Sequence, residues 1–138
     1  MSEFARWAAW RRWLGVRSER HAARLLRRAG FRILAANLNE LVGEIDLLAL
    51  DPDRRTLVVV EVRSVTGDDP QVAADTVSLT KQKRLVAATT KFLSRRRLLG
   101  HPLRFDVLAL AWPPGARSPK ILHVRDAFQP TDRFQFFT

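Results

Sequence analysis

"GEIDLLALDPDRRTLVVVEVRS", residues 43–64, consists of two apolar segments joined by a short polar turn. Residues 44–51 and 56–64 have strand character, and the DPDRR sequence between them is typical of a turn. Because the connection is so short, we predict that the second strand folds back on the first as an antiparallel pair. The run of three valines marks the second strand as buried in the core.

Both strands carry charged residues among large apolar ones. Side chains two residues apart in a strand point to the same face of the sheet. Glu61 and Arg63 therefore share a face of the second strand. Strict alternation divides the first strand into one face with Glu44, Asp46 and Leu48 and another with Ile45, Leu47 and Ala49.

The predicted turn brings Asp46 and Glu61 to similar heights on neighbouring strands. Two carboxylates this close repel each other unless a proton or a cation lies between them. A hard divalent ion with oxygen ligands is the natural partner for such a pair, and Mg²⁺ commonly uses one or two protein carboxylates. Arg63 then lies beside the pair, where it can contact a phosphate oxygen.

The rest of the chain predicts an α/β domain. Ser18 is the expected N-cap of a first helix, and Gly30 is the expected C-terminal stop. Lys81 lies one turn ahead of Leu85 on the apolar face of a second helix. In chain order we predict helix 18–30, strands 31–37, 44–51 and 56–64, helix 78–97, and strands 103–112 and 120–126.

Composition narrows the classes of function. A chain of 138 residues is the size of one domain. Because the sequence contains no cysteine, disulfides, thiolate metal sites and a cysteine nucleophile are excluded. Its 24 Lys and Arg against 14 Asp and Glu give a formal charge of +10, which favours binding to nucleic-acid phosphates. A solvated basic face accounts for the same charge without a ligand. No apolar run reaches the ~20 residues that cross a bilayer, so we expect a cytoplasmic protein without integral membrane association.

Residues 1–16 are predicted to be a Trp- and Arg-rich extension or helix, separate from a domain over residues 17–138. A helix with an aromatic stripe between arginines can lie on an anionic membrane, stack on bases or dock on a partner. Packing of the stripe against the domain or a second copy is the favoured alternative. The aromatic residues recur every three positions as Phe4, Trp7, Trp10 and Trp13.

Several segments in consistent order resemble the YraN-like family of small bacterial proteins. They are residues 18–37, 43–64, 77–93 and 104–110. That family is similar to archaeal Holliday-junction resolvases and is grouped with the PD-(D/E)xK nucleases. The resemblance covers roughly residues 17–127 and implies a restriction-endonuclease-like α/β/α core, with a mixed central sheet flanked by helices.

The resemblance also implies roles for individual residues. Asp46 matches the metal-binding aspartate and Glu61 the second acid, with the Val62 carbonyl oxygen as a further metal ligand. Glu19 matches the acid on the first helix that completes such sites. Lys81 matches the basic position on the helix after the sheet.

Arg63 stands where these nucleases usually have a catalytic lysine. Arginine stays charged in proteins, so Arg63 can stabilise negative charge but cannot act as a base. The resemblance thus predicts a Mg²⁺- or Mn²⁺-dependent endonuclease, a phosphodiesterase acting on DNA. Branched or structured DNA is the substrate class that the resemblance suggests. The alternative is a nucleic-acid-binding or scaffold protein that keeps the nuclease fold without its activity. Resolvase-like proteins are commonly dimers, which makes a homodimer an open expectation.

Each of these residues alone also has an ordinary structural explanation. Glu61 and Arg63 can form an ion pair at a half-exposed strand end, and Asp46 can cap a turn or pair with an arginine. Glu19 can complement the helix dipole, and Lys81 can be a solvated charge. Only their combination in a basic chain favours a site.

Overall fold

The computed structural model describes the backbone of residues 3–130 and the side chains of residues 15–130. Its elements are α1 (Glu3–Arg28), β1 (Arg32–Glu40), β2 (Gly43–Leu50), β3 (Leu57–Thr66), α2 (Pro70–Ala74), α3 (Leu79–Arg95), β4 (Leu103–Trp112) and β5 (Lys120–Val124). The strands form one sheet in the order β1-β2-β3-β4-β5. Neighbours are antiparallel except β3 and β4, which are parallel. The predicted mixed sheet flanked by helices is confirmed.

Strand β3 lies in the middle of the sheet and is buried on both faces. Leu57 and Val59 pack in the cluster that includes α3, while Val58 and Val60 pack in the cluster that includes α1. Burial on both faces explains the continuous valine run, which an alternating strand would not show. Glu61 follows directly, at the point where this core ends.

Helix α1 differs from the prediction at its beginning. It starts at Glu3 and runs through Gly15 to Arg28, so Ser18 does not cap it. A single glycine inside a helix costs only about 1 kcal/mol, which a long helix tolerates. Ser18 is instead buried and accepts a hydrogen bond of 3.0 Å from the Trp112 indole. Within residues 3–130, no helix is both long and apolar enough to cross a membrane.

The predicted boundary after residue 16 falls inside this continuous helix, and the division into two parts stays a prediction. The four aromatic side chains of the N-terminal stripe lie outside the described side chains. They are Phe4, Trp7, Trp10 and Trp13.

The C-terminal end of α1 matches the prediction. Gly30 has a φ of +93°, a left-handed conformation that glycine adopts without strain. The N–H of Phe31 donates to the carbonyl of Leu26 at 2.9 Å, and the N–H of Gly30 donates to that of Arg27 at 3.1 Å. These two bonds form a Schellman motif, which turns the chain from α1 into β1.

Strand β2 departs from strict alternation near its start. Ile45 and Leu48 pack in one core cluster, whereas Leu47 and Ala49 pack in the cluster on the other face. The prediction that Ile45 shares a face with Leu47 was therefore wrong. The register of β1 against β2 shifts between Ile33 and Ala35, and beyond that shift Asn37, which has a φ of +52°, is missing from the paired residues.

Candidate metal centre

The two predicted acids meet at the end of the β2–β3 pair. Leu47 pairs with Val60, and the next residues outward are Asp46 and Glu61. The two carboxyl groups interact across the strands, as the sequence predicted. Glu61 is only 2% exposed.

Burial of this acidic pair makes both groups hold protons more tightly than usual. Burial raises the pKa of Glu61 to about 7, and the negative charge of Asp46 adds to the rise. Burial also raises the pKa of Asp46, although the N–H of Val62 opposes the rise by donating to Asp46 Oδ2 at 2.9 Å. Two carboxylates with raised pKa values are typical of a site that holds a proton or a cation between them.

Two cationic side chains approach the same oxygen of Glu61. Lys81 Nζ lies 3.5 Å and Arg63 Nη1 lies 3.7 Å from Glu61 Oε1. Both distances exceed a direct hydrogen bond, so these are loose ion pairs. The other oxygen, Glu61 Oε2, is buried and has no hydrogen-bond partner among the described residues.

A divalent metal fits this donor set. A buried carboxylate oxygen without a donor is costly, and an ion bound there would remove the cost. The oxygens of Asp46 and Glu61 are the hard ligands that Mg²⁺ and Mn²⁺ prefer, and Mg²⁺ is commonly bound through one or two carboxylates. No cluster of three or more acidic or histidine side chains with metal-binding geometry occurs among the described side chains. The candidate site is therefore a two-carboxylate site.

Glu19 lies at the margin of this pair. Burial raises its pKa, and the charge of Asp46 raises it further, which places the Glu19 carboxyl within electrostatic reach of the site. With its amide nitrogen turned toward the acids, Asn37 donates to Glu19 and to Glu44 at 3.3 Å each. The interruption of β1 thus supplies a donor between two carboxylates. Metal binding by Glu19 and by the Val62 carbonyl oxygen stays a prediction.

Thr76 is a site residue that the sequence did not indicate. Its hydroxyl accepts a hydrogen bond of 2.8 Å from Arg63 Nε and donates one of 2.6 Å to the carbonyl of Ala73. The connection between α2 and α3 therefore orients the guanidinium that faces Glu61. No local pattern marks a loop threonine for this role, and Thr76 lies between the predicted strand 56–64 and the predicted helix 78–97.

Asp106 is a second acid within an apolar strand, yet its environment is opposite to that of Glu61. It accepts hydrogen bonds of 2.8 to 3.0 Å from Arg104, His123 and the N–H of Asp126. Burial alone would raise the pKa of Asp106, but these bonds outweigh it and the pKa lies below its ordinary value. Asp106 is a fully bonded structural acid, whereas Glu61 has one oxygen without a donor and its carboxyl group shares a hydrogen bond with that of Asp46.

Comparison with known proteins identifies the family of this chain. Residues 18–110 match the profile of the uncharacterised protein family UPF0102. The chain belongs to the UPF0102 family. A UPF0102 protein of Rhodopirellula baltica is 41% identical over 116 residues, which cover 83% of this chain and 70% of that protein. One of Pelotomaculum thermopropionicum is 36% identical over 118 residues, covering 86% of this chain and 97% of that protein.

The UPF0102 match confirms the YraN-like resemblance and includes every candidate site residue. They are Glu19, Asp46, Glu61, Val62, Arg63 and Lys81. The names of these relatives state no activity, so the relation of UPF0102 proteins to Holliday-junction resolvases stays a prediction.

Proposed function

We propose that this UPF0102 protein is a nuclease that cleaves DNA with the help of Mg²⁺ or Mn²⁺. The observation that carries the proposal is the buried Glu61 carboxylate, which lies beside Asp46 and has one oxygen without a donor. A purely structural acid at 2% exposure would be fully bonded, as Asp106 is.

In this proposal Asp46 and Glu61 hold the metal. A bound divalent ion lowers the pKa of water and polarises a phosphoryl oxygen. Arg63 and Lys81 contribute positive charge on the side of Glu61 and stabilise the negative charge that develops on the phosphate. Arg63 stays charged and serves only electrostatically, with Thr76 fixing its orientation.

The alternative function is a nucleic-acid-binding or scaffold protein that keeps the fold without chemistry. The observation that favours it is the position of two cations against the same Glu61 oxygen, because they already offset the charge that a metal would neutralise. Arg63 in place of the usual lysine supports the same alternative. Under it, DNA binding would be salt-sensitive and would not change when Asp46 is neutralised.

A cleavage assay separates the two functions. The purified protein is incubated with branched, single-stranded and duplex DNA in Mg²⁺, Mn²⁺ or EDTA. The nuclease proposal expects metal-dependent cleavage that Asp46→Asn and Glu61→Ala abolish, while the exposed acid variant Asp68→Asn cleaves normally. Cleavage that survives Glu61→Ala contradicts the assignment of the site. Binding without cleavage under every metal condition favours the alternative.

The cytoplasmic location and the homodimer remain predictions. Sedimentation equilibrium at micromolar concentration measures the oligomeric state directly, and a single species at the monomer mass of 15.8 kDa would contradict the dimer.

A further inference from the structure

An open groove of about 520 Å³ runs along α1 beside strands β1 and β2. We call it the α1 groove. Three arginines of α1, Arg20, Arg24 and Arg27, line it together with apolar side chains that include Ile33 and Leu47. A basic wall beside an apolar surface suits a ligand that carries negative charge along one side.

Among the described side chains, the three arginines have no acidic partner that would explain their positions. All three are exposed. Their spacing of four and three residues puts them on one face of the helix, where like charges repel one another. The row therefore weakens α1 slightly in isolation, and an anion bound along it would remove that cost.

The groove also reaches the candidate metal centre. Glu19 and Asn37 line it, and so does Leu47, which directly follows Asp46 in β2. From Arg20 to Arg27 the helix rises roughly 10 Å. The three arginines distributed over this length can each contact one phosphate of a nucleic-acid strand.

We propose that the α1 groove binds the sugar-phosphate backbone of a DNA strand and directs that strand toward Asp46 and Glu61. The proposal rests on the proposed nuclease function and assigns its substrate-binding surface. Each arginine of the row contacts a phosphate, and the apolar lining contacts the sugars and bases. An anionic membrane fits less well, because a bilayer surface contacts a convex face more readily than a groove.

The test measures how DNA binding depends on salt. A fluorescent DNA strand, alone and as a duplex, is titrated with the full chain in EDTA, and anisotropy gives the affinity between 50 and 200 mM NaCl. Each phosphate contact contributes about −0.9 to the slope of log K against log[salt] for the duplex and about −0.7 for the single strand. We expect R20Q/R24Q/R27Q to make this slope shallower by about 2 to 3 and to weaken binding at 100 mM NaCl at least tenfold.

Two matched variants keep the test specific. The triple variant R20K/R24K/R27K keeps the charge and should keep the wild-type slope. The variant R55Q/K91Q/R96Q also loses three positive charges, but at exposed positions outside the groove. Its slope should change by less than 1. Circular dichroism with thermal melting checks that all three variants are folded.

The outcomes separate this inference from the proposed function. If the wild type binds DNA and R20Q/R24Q/R27Q binds it with the same slope, the groove assignment is overturned and the nuclease proposal stands. Equal losses in the groove variant and in R55Q/K91Q/R96Q overturn the assignment too. Absence of DNA binding by the wild type overturns both proposals. Preferential binding to phosphatidylserine vesicles, lost in R20Q/R24Q/R27Q, would assign the groove to a membrane surface instead.

Discussion

Replacing Glu61 by glutamine should stabilise the metal-free protein at neutral and alkaline pH. The pKa of Glu61 rises from 4.5 to about 7 in the folded state, mainly because the side chain is buried. The folded protein therefore binds this proton more tightly than the unfolded chain does. For this group, the free energy of unfolding is highest below about pH 4.5 and falls as the pH rises through 7. Glutamine is neutral at every pH and removes that loss.

The expected size follows from the pKa shift. The pKa difference corresponds to about 3 kcal/mol at pH 8. The positive charges of Lys81 and Arg63 lower the pKa of Glu61, so the value of about 7 already includes the loose ion pairs that the substitution removes. Glu61→Gln should thus raise the free energy of unfolding by about 3 kcal/mol at pH 8 and by much less at pH 5.

Urea denaturation in EDTA measures this difference, with Trp112 in the core contributing to the fluorescence signal. Wild type and Glu61→Gln are compared at pH 5, 6, 7 and 8, a range that includes the raised pKa of Glu61. Asp68→Asn, an exposed acid, serves as the control and should track the wild type. A Glu61→Gln protein that is less stable than the wild type at pH 8, or a difference that does not vary with pH, would refute the account of Glu61 as a strained buried acid.

Three other substitutions test the neighbouring contacts. In the cleavage assay, Arg63→Ala should lower kcat by about 10²-fold, as for a lost charge-stabilising donor, whereas Arg63→Lys should lose less than tenfold; equal losses would contradict an electrostatic role. Thr76→Val frees the guanidinium of Arg63 and should lower kcat several-fold without changing thermal stability by more than a few degrees; an unchanged kcat would refute the positioning role. Asp106→Asn should destabilise the fold by about 3 kcal/mol at pH 7, and the loss should begin to shrink below about pH 4, where the unfolded chain binds the Asp106 proton before the folded protein does. Urea titration at pH 7 and pH 3.5 checks this, and a pH-independent loss would contradict it.

The central strands and their acids could be predicted because the decisive signals are local. A short Asp- and Pro-containing turn between two apolar runs fixes the antiparallel register, and the register alone brings Asp46 next to Glu61. Helix α3 was predictable for the same reason, since Ser78 caps it and Lys81 lies one turn before the buried Leu85. Each of these predictions uses only residues that are close together in the sequence.

The failures all depend on contacts between distant segments. Ser18 resembles a helix cap, but the buried side chain is bonded to Trp112, which is 94 residues away in sequence. Thr76 orients Arg63 from a loop, and only the folded chain brings them together. The departure of Ile45 from strict alternation is visible only in the folded packing, where Ile45 and Leu47 lie in different core clusters. Asp106 is, like Glu61, an acid within an apolar strand sequence. Only the hydrogen bonds that Asp106 accepts in the folded protein identify it as a structural residue.

The central claim is that Asp46 and Glu61 form a divalent-metal site, and calorimetric titration with Mn²⁺ tests it most directly. Metal binding should displace the proton that Glu61 holds with a pKa of about 7, so the apparent enthalpy at pH 7 should depend on the ionisation enthalpy of the buffer. We predict one Mn²⁺ per chain with proton release for the wild type and for Asp68→Asn, and no binding for Asp46→Asn or Glu61→Gln. Absence of binding by the wild type, or undiminished binding by Asp46→Asn, would contradict the claim.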